Sequence, residues 1–245
     1  MILAELNAGD SVYLQISQFR LNYIIYDFQI QQAYAIKYFW TTKKKQGNVL
    51  SGKQLDSFLN LLTEVAQEAG VPTQCIYLKN NQIPGYYRAT KDWDLLIVSP
   101  KNNLIAAIEL KSQVGSYGNN LNNRTEESLG SSEDFWTAFR EKSFSCDQTP
   151  WLGYLMVVGK DKQSTHVVKV SEPHFPVRKE FKKSTYLDRY RLLCQKLVLE
   201  HKYNAVALIA TADKNTYENV AQNISIESFI NSFRGHLLGV ADEFK

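Results

Sequence analysis

The chain is predicted to fold as an α/β protein, a mixed central sheet flanked by helices. Three observations predict it. Apolar or alternating runs of strand length at 75–78, 93–98, 104–112, 151–158 and 204–211 are interleaved with segments of helical periodicity. Their order reads helix, strand pair, helix, strand, helix, strand, the succession of a mixed sheet. The composition, 44% hydrophobic and 22% charged over 245 residues, suits a core-forming chain of one large domain or two small ones.

The elements follow in order. Residues 12–40 are rich in aromatics (Phe19, Tyr23, Tyr26, Phe28, Tyr38 and Trp40 among them) yet polar enough to read as one or two helices. That stretch ends in Lys43 to Lys45 and Gly47. A second helix is expected from Gly52 to Ala69, with Ser51 as N-cap and an apolar stripe of Leu55, Phe58, Leu59, Leu62 and Val65. Gly70 and Pro72 end it. Two further helices are expected over 124–143 and 184–201, and 171–183 (SEPHFPVRKEFKK) reads as an irregular basic loop. The whole, 1–245, is expected to form a single domain: a helical N-terminal segment over 1–50, a core over 51–211 and a C-terminal extension over 212–245.

Several classes are disfavoured at once. A net charge of +3 and a pI near 8.6 permit a nucleic-acid partner without demanding one. Cys75, Cys146 and Cys194 are far apart, and neither they nor the four histidines show zinc-ligand spacing. They read as reduced thiols of a cytosolic protein. MILAELNAGD lacks the basic start and apolar stretch of a signal peptide, and the longest apolar runs, such as Leu104 to Ile108, fall far short of a membrane span. No Gly-x-Gly-x-x-Gly follows a strand, against a dinucleotide-binding enzyme.

The chemistry concentrates in DWDLLIVSPKNNLIAAIELKSQ, residues 92–113, where two strands flank a Pro100-Lys101-Asn102-Asn103 turn. With the turn centred between Lys101 and Asn102, residues whose numbers sum to 203 face one another, which sets Asp94 against Glu109. Opposed carboxylates repel in an ordinary sheet. A divalent cation converts that repulsion into coordination, and Mg²⁺ takes one or two carboxylates together with water and phosphate oxygens. Alternation then puts Lys111 and Gln113 on the face of Glu109, while Ile108 and Leu110 point into the core. Such a set suits phosphodiester hydrolysis: Asp94 and Glu109 hold the metal, and Lys111 orients or deprotonates the water and offsets phosphate charge. By itself, Asp…Glu-x-Lys also describes a solvent-facing hairpin with a cross-strand ion pair. Asp92 competes with Asp94 for the first position; Asp94 is preferred because it matches the register and abuts the apolar strand.

With these residues in place the chain resembles the PD-(D/E)XK nucleases and, more narrowly, the XhoI restriction endonuclease family. The resemblance rests on Pro84-Gly85-Tyr86-Tyr87-Arg88, Trp93-Asp94, Ile108-Glu109-Leu110-Lys111-Ser112 and, most specifically, the run from Gly118 to Arg124. Thr137 to Glu141, Pro173 to Val177 and Tyr186-Leu187 extend it, so that it spans roughly residues 51–200. It implies a PD-(D/E)XK fold and a homodimer that binds double-stranded DNA at CTCGAG. It also implies Mg²⁺-dependent cleavage after the first C, leaving four-base 5′ overhangs, with Asp94, Glu109 and Lys111 as the catalytic set. The implied setting is cytoplasmic defence beside a methyltransferase that acts on the same site.

The segment after the catalytic strand is the expected place for DNA contact. Asn can bond adenine's edge and Arg guanine's, so Asn119, Asn120, Asn122, Asn123 and Arg124 suit base readout or phosphate clamping. The same run also suits a turn-rich loop in which Asn123 caps the helix beginning near Arg124. Arg178, Lys179, Lys182 and Lys183, with Lys43 to Lys45, read first as solvated charge and second as phosphate contacts. His174 reads as structural, and Asp56 and Glu64 as surface acids rather than further metal ligands. The competing functions are a repair or junction-resolving nuclease of the same superfamily, and a catalytically inert DNA-binding module.

Overall fold

The computed structural model describes residues 32–42 and 52–245. Phe19, Tyr23, Tyr26, Phe28, Lys43 to Lys45, Gly47 and Ser51 lie outside the described residues. Within them, 32–42 are helical (α1), in keeping with the expected aromatic-rich helical segment. Phe39 is buried, and the Trp40 indole N–H donates to Thr211 Oγ1 at 2.9 Å, tying α1 to the sheet.

The second helix, α2 (Asp56–Glu68), follows a short 3-10 turn over Gly52–Leu55. It ends as its sequence demands. Gly70 takes φ +93°, which an L side chain resists, while its N–H donates to Gln67 O and that of Val71 to Ala66 O. Phe58, Leu61, Leu62 and Val65 form the buried stripe.

The sheet is mixed, with six strands in the order β1-β4-β5-β6-β7-β8. These are β1 (Ile76–Tyr77), β4 (Leu95–Val98), β5 (Leu104–Gln113), β6 (Trp151–Gly159), β7 (Ala205–Asp213) and β8 (Thr216–Asn219). A separate hairpin, β2 (Gln82–Pro84) and β3 (Thr90–Asp92), stands apart. Strand β5 pairs antiparallel with β4 and parallel with β6, and β6 parallel with β7. The two parallel steps need crossovers, supplied by α3 (Tyr117–Arg140) and α4 (Tyr186–Leu199). Steps in the same direction place both helices over one face. The last helix, α5 (Ile226–Gly239), packs with α1 and α2 on the other.

Alternation along the strands therefore divides the core in two. Leu95, Ile97, Ile108, Leu110, Leu155 and Val157 meet α1, α2 and α5. Leu96, Ala107, Tyr154, Met156, Val206 and Leu208 meet α3 and α4. Residues 212–245 supply β8 and α5 to these layers. Cys75 and Cys194 are buried thiols, and Cys146 is half-buried. Among the described residues no helix is long and apolar enough to cross a membrane.

Two expectations are corrected. The helix expected at 124–143 begins at Tyr117, so Asn119, Asn120, Asn122 and Asn123 lie in its first two turns rather than in a loop, and Asn123 is not a cap. Tertiary anchoring overrides the poor helix propensity of this run: Tyr117 is fully buried, its hydroxyl donating to Gly159 O or Asp161 Oδ2, and Leu121 is buried one turn on. Gly118 permits the close approach of α4, because a Cβ there would lie 2.6 Å from the Tyr186 hydroxyl. Asp92 likewise does not share the face of Asp94. The strand breaks at Trp93, and Asp92 pairs with Gln82 in the separate hairpin.

Candidate active site

The β4–β5 register is the expected one. Leu95 faces Ile108, Leu96 faces Ala107 and Ile97 faces Ala106, each pair summing to 203. A bulge at the turn side shifts Val98 onto Leu104, beyond the functional residues. One step past Leu95 the ladder becomes irregular. The Asp94 N–H donates to Ile108 O at 3.0 Å, and the Leu110 N–H is taken by Asp94 Oδ2 at 2.6 Å. A backbone donor thus fixes the carboxylate against β5 at the level of Glu109.

Glu109 projects from β5 onto the face covered by α3 and α4 and is 3% exposed. Its in-register neighbour on β6 is the buried Tyr154. A carboxylate in such surroundings needs opposite charge. Lys111 supplies it two residues along the same strand, with Nζ 2.6 Å from Glu109 Oε1. Lys91 of β3 supplies it again, 3.2 Å from the same oxygen. The other oxygen, Oε2, is buried and has no hydrogen-bond partner.

These neighbours set the ionisation. Burial raises Asp94 above its ordinary value; the Leu110 N–H and then Lys111 oppose the rise, and the charge of Glu109 adds to it. Burial also acts to raise Glu109, but Lys111 and Lys91, by charge and by hydrogen bond, outweigh it and hold the carboxyl below its ordinary value. With all four groups charged, the two carboxylates and two ammoniums balance.

The residues fit a hard divalent cation. Asp94 and Glu109 offer carboxylate oxygens, and the unpartnered Glu109 Oε2 is a buried acceptor that such an ion would satisfy. No group of three His, Cys, Asp or Glu side chains comes together among the described residues. Were an ion held here, Asp94 and Glu109 would be the carboxylates to hold it, and water and phosphate oxygens would complete the shell. Asp56 and Glu64 sit on α2, which packs against the opposite face of the sheet.

Lys91 is the residue that the sequence reading missed. Its β3 position follows from a short hairpin turning at Pro84-Gly85, a turn signature in the sequence. Its Nζ also lies 4.6 Å from the centre of the Trp93 ring, itself buried edge-to-face against Phe135 of α3. Gln113 is buried and donates to Gly115 O at 2.6 Å, closing the end of β5.

Along the first turns of α3, Asn119, Asn122 and Asn123 are exposed, and Asn120 donates to Ser116 O. Arg124 differs. Its side chain is 18% exposed, its Nη1 meets Glu127, and its Nε is buried without a partner. In the 171–183 segment Lys182 pairs with Glu172 and Arg178 with Glu180, so much of its charge is locally answered.

Comparison with known proteins identifies the family. The family model described as restriction endonuclease XhoI matches residues 38–222. The type II restriction enzyme BstVI of Geobacillus stearothermophilus is 45% identical over 202 residues, covering 78% of this chain and 90% of that protein. The type II restriction enzyme XhoI of Xanthomonas vasicola is 42% identical over 160 residues, 64% of each chain, and AbrI of Azospirillum brasilense 42% over 126 residues. No solved structure gives a significant match. A match over three quarters of the sequence, reaching from α1 past β8, settles the lineage: the chain belongs to the XhoI family of restriction endonucleases.

Proposed function

We propose that the protein is a Mg²⁺-dependent type II restriction endonuclease with a PD-(D/E)XK core formed as one domain. It acts in the cytoplasm as a homodimer on double-stranded DNA at CTCGAG, cutting after the first C to leave four-base 5′ overhangs. A methyltransferase acting on the same site protects the host. One observation carries the reading: a buried glutamate with one oxygen bridged by two lysines and the other unpartnered, beside a second carboxylate pinned by a backbone N–H. Such a centre is costly to fold unless it meets a cation and an anion in turn.

In this reading Asp94, Glu109 and Lys111 are the catalytic residues. Bound Mg²⁺ would supply charge neutralisation at the scissile phosphate and a more acidic water. Asp94 and Glu109 hold that ion. Lys111, 24% exposed and hinged on Glu109 Oε1, presents its remaining N–H donors to a phosphate oxygen and orients the attacking water. Lys91 keeps Glu109 ionised from the opposite side. The exposed Asn119, Asn122 and Asn123, with Asn120 and Arg124 on the same two turns of α3, form the proposed DNA-reading segment. A palindromic target matches a two-fold dimer, since identical half-sites meet identical surfaces.

The test is a digest of fully sequenced DNA with Mg²⁺, mapping fragment ends, beside DNA lacking CTCGAG. Ends confined to that hexamer with four-base 5′ extensions are expected, and EDTA should abolish them. Cutting at unrelated sequences, or cutting by Lys111→Ala at the parent rate, would overturn the reading.

A further inference from the structure

The tip of the β2–β3 hairpin, Gly85 to Ala89, is built in a way that the cutting centre does not use. Asp134 of α3 is 2% exposed and directs its carboxylate at this tip. Oδ1 accepts the N–H of Tyr86 at 2.9 Å and that of Tyr87 at 2.7 Å, while Oδ2 pairs with Arg88 Nε at 3.0 Å. The Gly85 N–H closes the turn on Ala89 O at 3.3 Å. A Cβ on Gly85 would stand 2.6 Å from Asp134 Oδ2 and 2.8 Å from Arg88 O, so only glycine permits this approach. The anchor is complete: a buried charge answered by three donors.

The anchor holds two aromatic side chains outward. Tyr86 and Tyr87 stand edge to face, 4.9 Å between ring centres, at 52% and 69% exposure. Fixing two large rings in water has no benefit for folding. The hairpin carries Arg88 and Lys91 against Asp92 at its base, and the Arg88 side chain stays 45% exposed beyond its Nε contact with Asp134. Lys91 is already bonded to Glu109. Arg88 is three residues from Lys91, so at most about 10 Å of extended chain separates them. Rings with hydroxyls and a half-exposed guanidinium complement phosphates and the apolar walls of a groove.

We propose that the tip from Gly85 to Ala89, clamped by Asp134, is a DNA-contact element beside the scissile phosphate, with Tyr86, Tyr87 and Arg88 touching the duplex. Asp134 is a positioning residue that acts through them. This rests on the reading of the protein as a DNA-cutting enzyme.

The test measures binding of the intact protein to a fluorescent duplex carrying CTCGAG, with Ca²⁺ replacing Mg²⁺ to suppress cutting. The surface double variant Tyr86→Ala/Tyr87→Ala should bind about tenfold more weakly than the parent. Arg88→Gln should make the dependence of log Kd on log salt shallower by about one phosphate's worth. Asp134→Ala should reproduce the loss in the tyrosine pair. Asp134→Asn retains the Oδ1 acceptor for the Tyr86 and Tyr87 N–H groups but sets an NH2 donor against Arg88 Nε, so it should bind more tightly than Asp134→Ala and more weakly than the parent, a partial rescue that a general loss of folding would not give.

Parental affinity in the tyrosine double variant would overturn the proposal. So would weakened binding that coincides with loss of dimer mass by light scattering, because the rings would then be a subunit contact. Should the parent bind CTCGAG no better than a permuted duplex, the reading of site specificity fails instead. The variants are then compared on the permuted duplex, where equal binding would still sink this proposal.

Discussion

On one face of the sheet, Leu95, Ile97, Ile108 and Leu110 pack against α1, α2 and α5 with no carboxylate or ammonium among them. On the other, Leu96, Ala107, Tyr154 and Met156 share their surface with Glu109, and α3 and α4 cover both. The same strand, β5, builds the two faces from alternate residues. Buried polar atoms without partners occur on both sides, at Gln32 and Thr63 of α1 and α2 as well as at Trp93 and Tyr190, but those of ionised groups, Glu109 Oε2 and Arg124 Nε, belong to the second. A core made only of apolar atoms reaches its free-energy minimum by packing. A core holding a buried charge reaches it by pairing, and an unpaired oxygen left there marks where binding completes the set. The apolar face should therefore govern stability and the polar face turnover.

The largest effect should come from the polar face. Glu109→Gln keeps the shape but removes the charge, and Lys111→Ala removes the ammonium. Each should lower kcat by about a thousandfold or more, with DNA binding in Ca²⁺ nearly retained, read by single-turnover cleavage. On the apolar face, Ile108→Ala should cost about 2–5 kcal/mol in urea unfolding while the activity per folded molecule stays at the parent value. If Ile108→Ala silenced cutting in folded protein, the separation of the faces would break.

Lys91→Ala sharpens the comparison, since it leaves Lys111 in place. It should reduce kcat by about tenfold to a hundredfold and raise the Mg²⁺ concentration needed for half-maximal rate. An unchanged metal dependence would remove Lys91 from the centre. Smaller still is Thr185→Ala at the start of α4. Thr185 Oγ1 accepts the Asp188 N–H at 3.0 Å, and Asp188 Oδ2 accepts the Thr185 N–H at 3.0 Å. Losing this capping box should cost about 1 kcal/mol of stability and leave cleavage unaltered.

The last prediction concerns acid. His236 of α5 bonds Ile105 O at 3.1 Å on the apolar side, and burial lowers its pKa below 6.5 against the opposing effect of that bond. The fold holds the ring neutral, so this contribution is present above pH 6.5 and is lost as pH falls through the depressed value. Glu109, also depressed, behaves with the same sign from 4.5 downward. Urea titrations across pH in metal-free buffer should show His236→Gln flattening the first decline and Glu109→Gln the second.

Much of this was legible in the chain. Apolar runs of strand length marked β4, β5, β6 and β7, because a strand covered on both faces is apolar at consecutive residues. The turn after Val98 fixed the register around Asp94, since a short reversal allows few alignments. Helix α2 was readable from stripe and Gly70 together. The start of α3 was not: Gly118, Asn119, Asn120, Asn122 and Asn123 have loop chemistry, and the energy that winds them comes from Tyr117 reaching Gly159 and Asp161 across the fold. Helix α5 and β8 went unread beyond 211, although Ser225 caps α5 and Phe229, Ile230, Phe233 and Leu237 form its buried stripe.

By itself the sequence determined the core strands and the hairpin register, and it singled out Asp94, Glu109 and Lys111, which lie within 20 residues of one another. Only the tertiary structure decided that Glu109 would be buried, that Lys91 would join it from a separate hairpin, and that Asp134 would hold the tyrosine tip. Local order is written in neighbours along the chain, whereas charge pairing inside a core depends on which distant segments pack there, and that is set by the sum of all the packing at once.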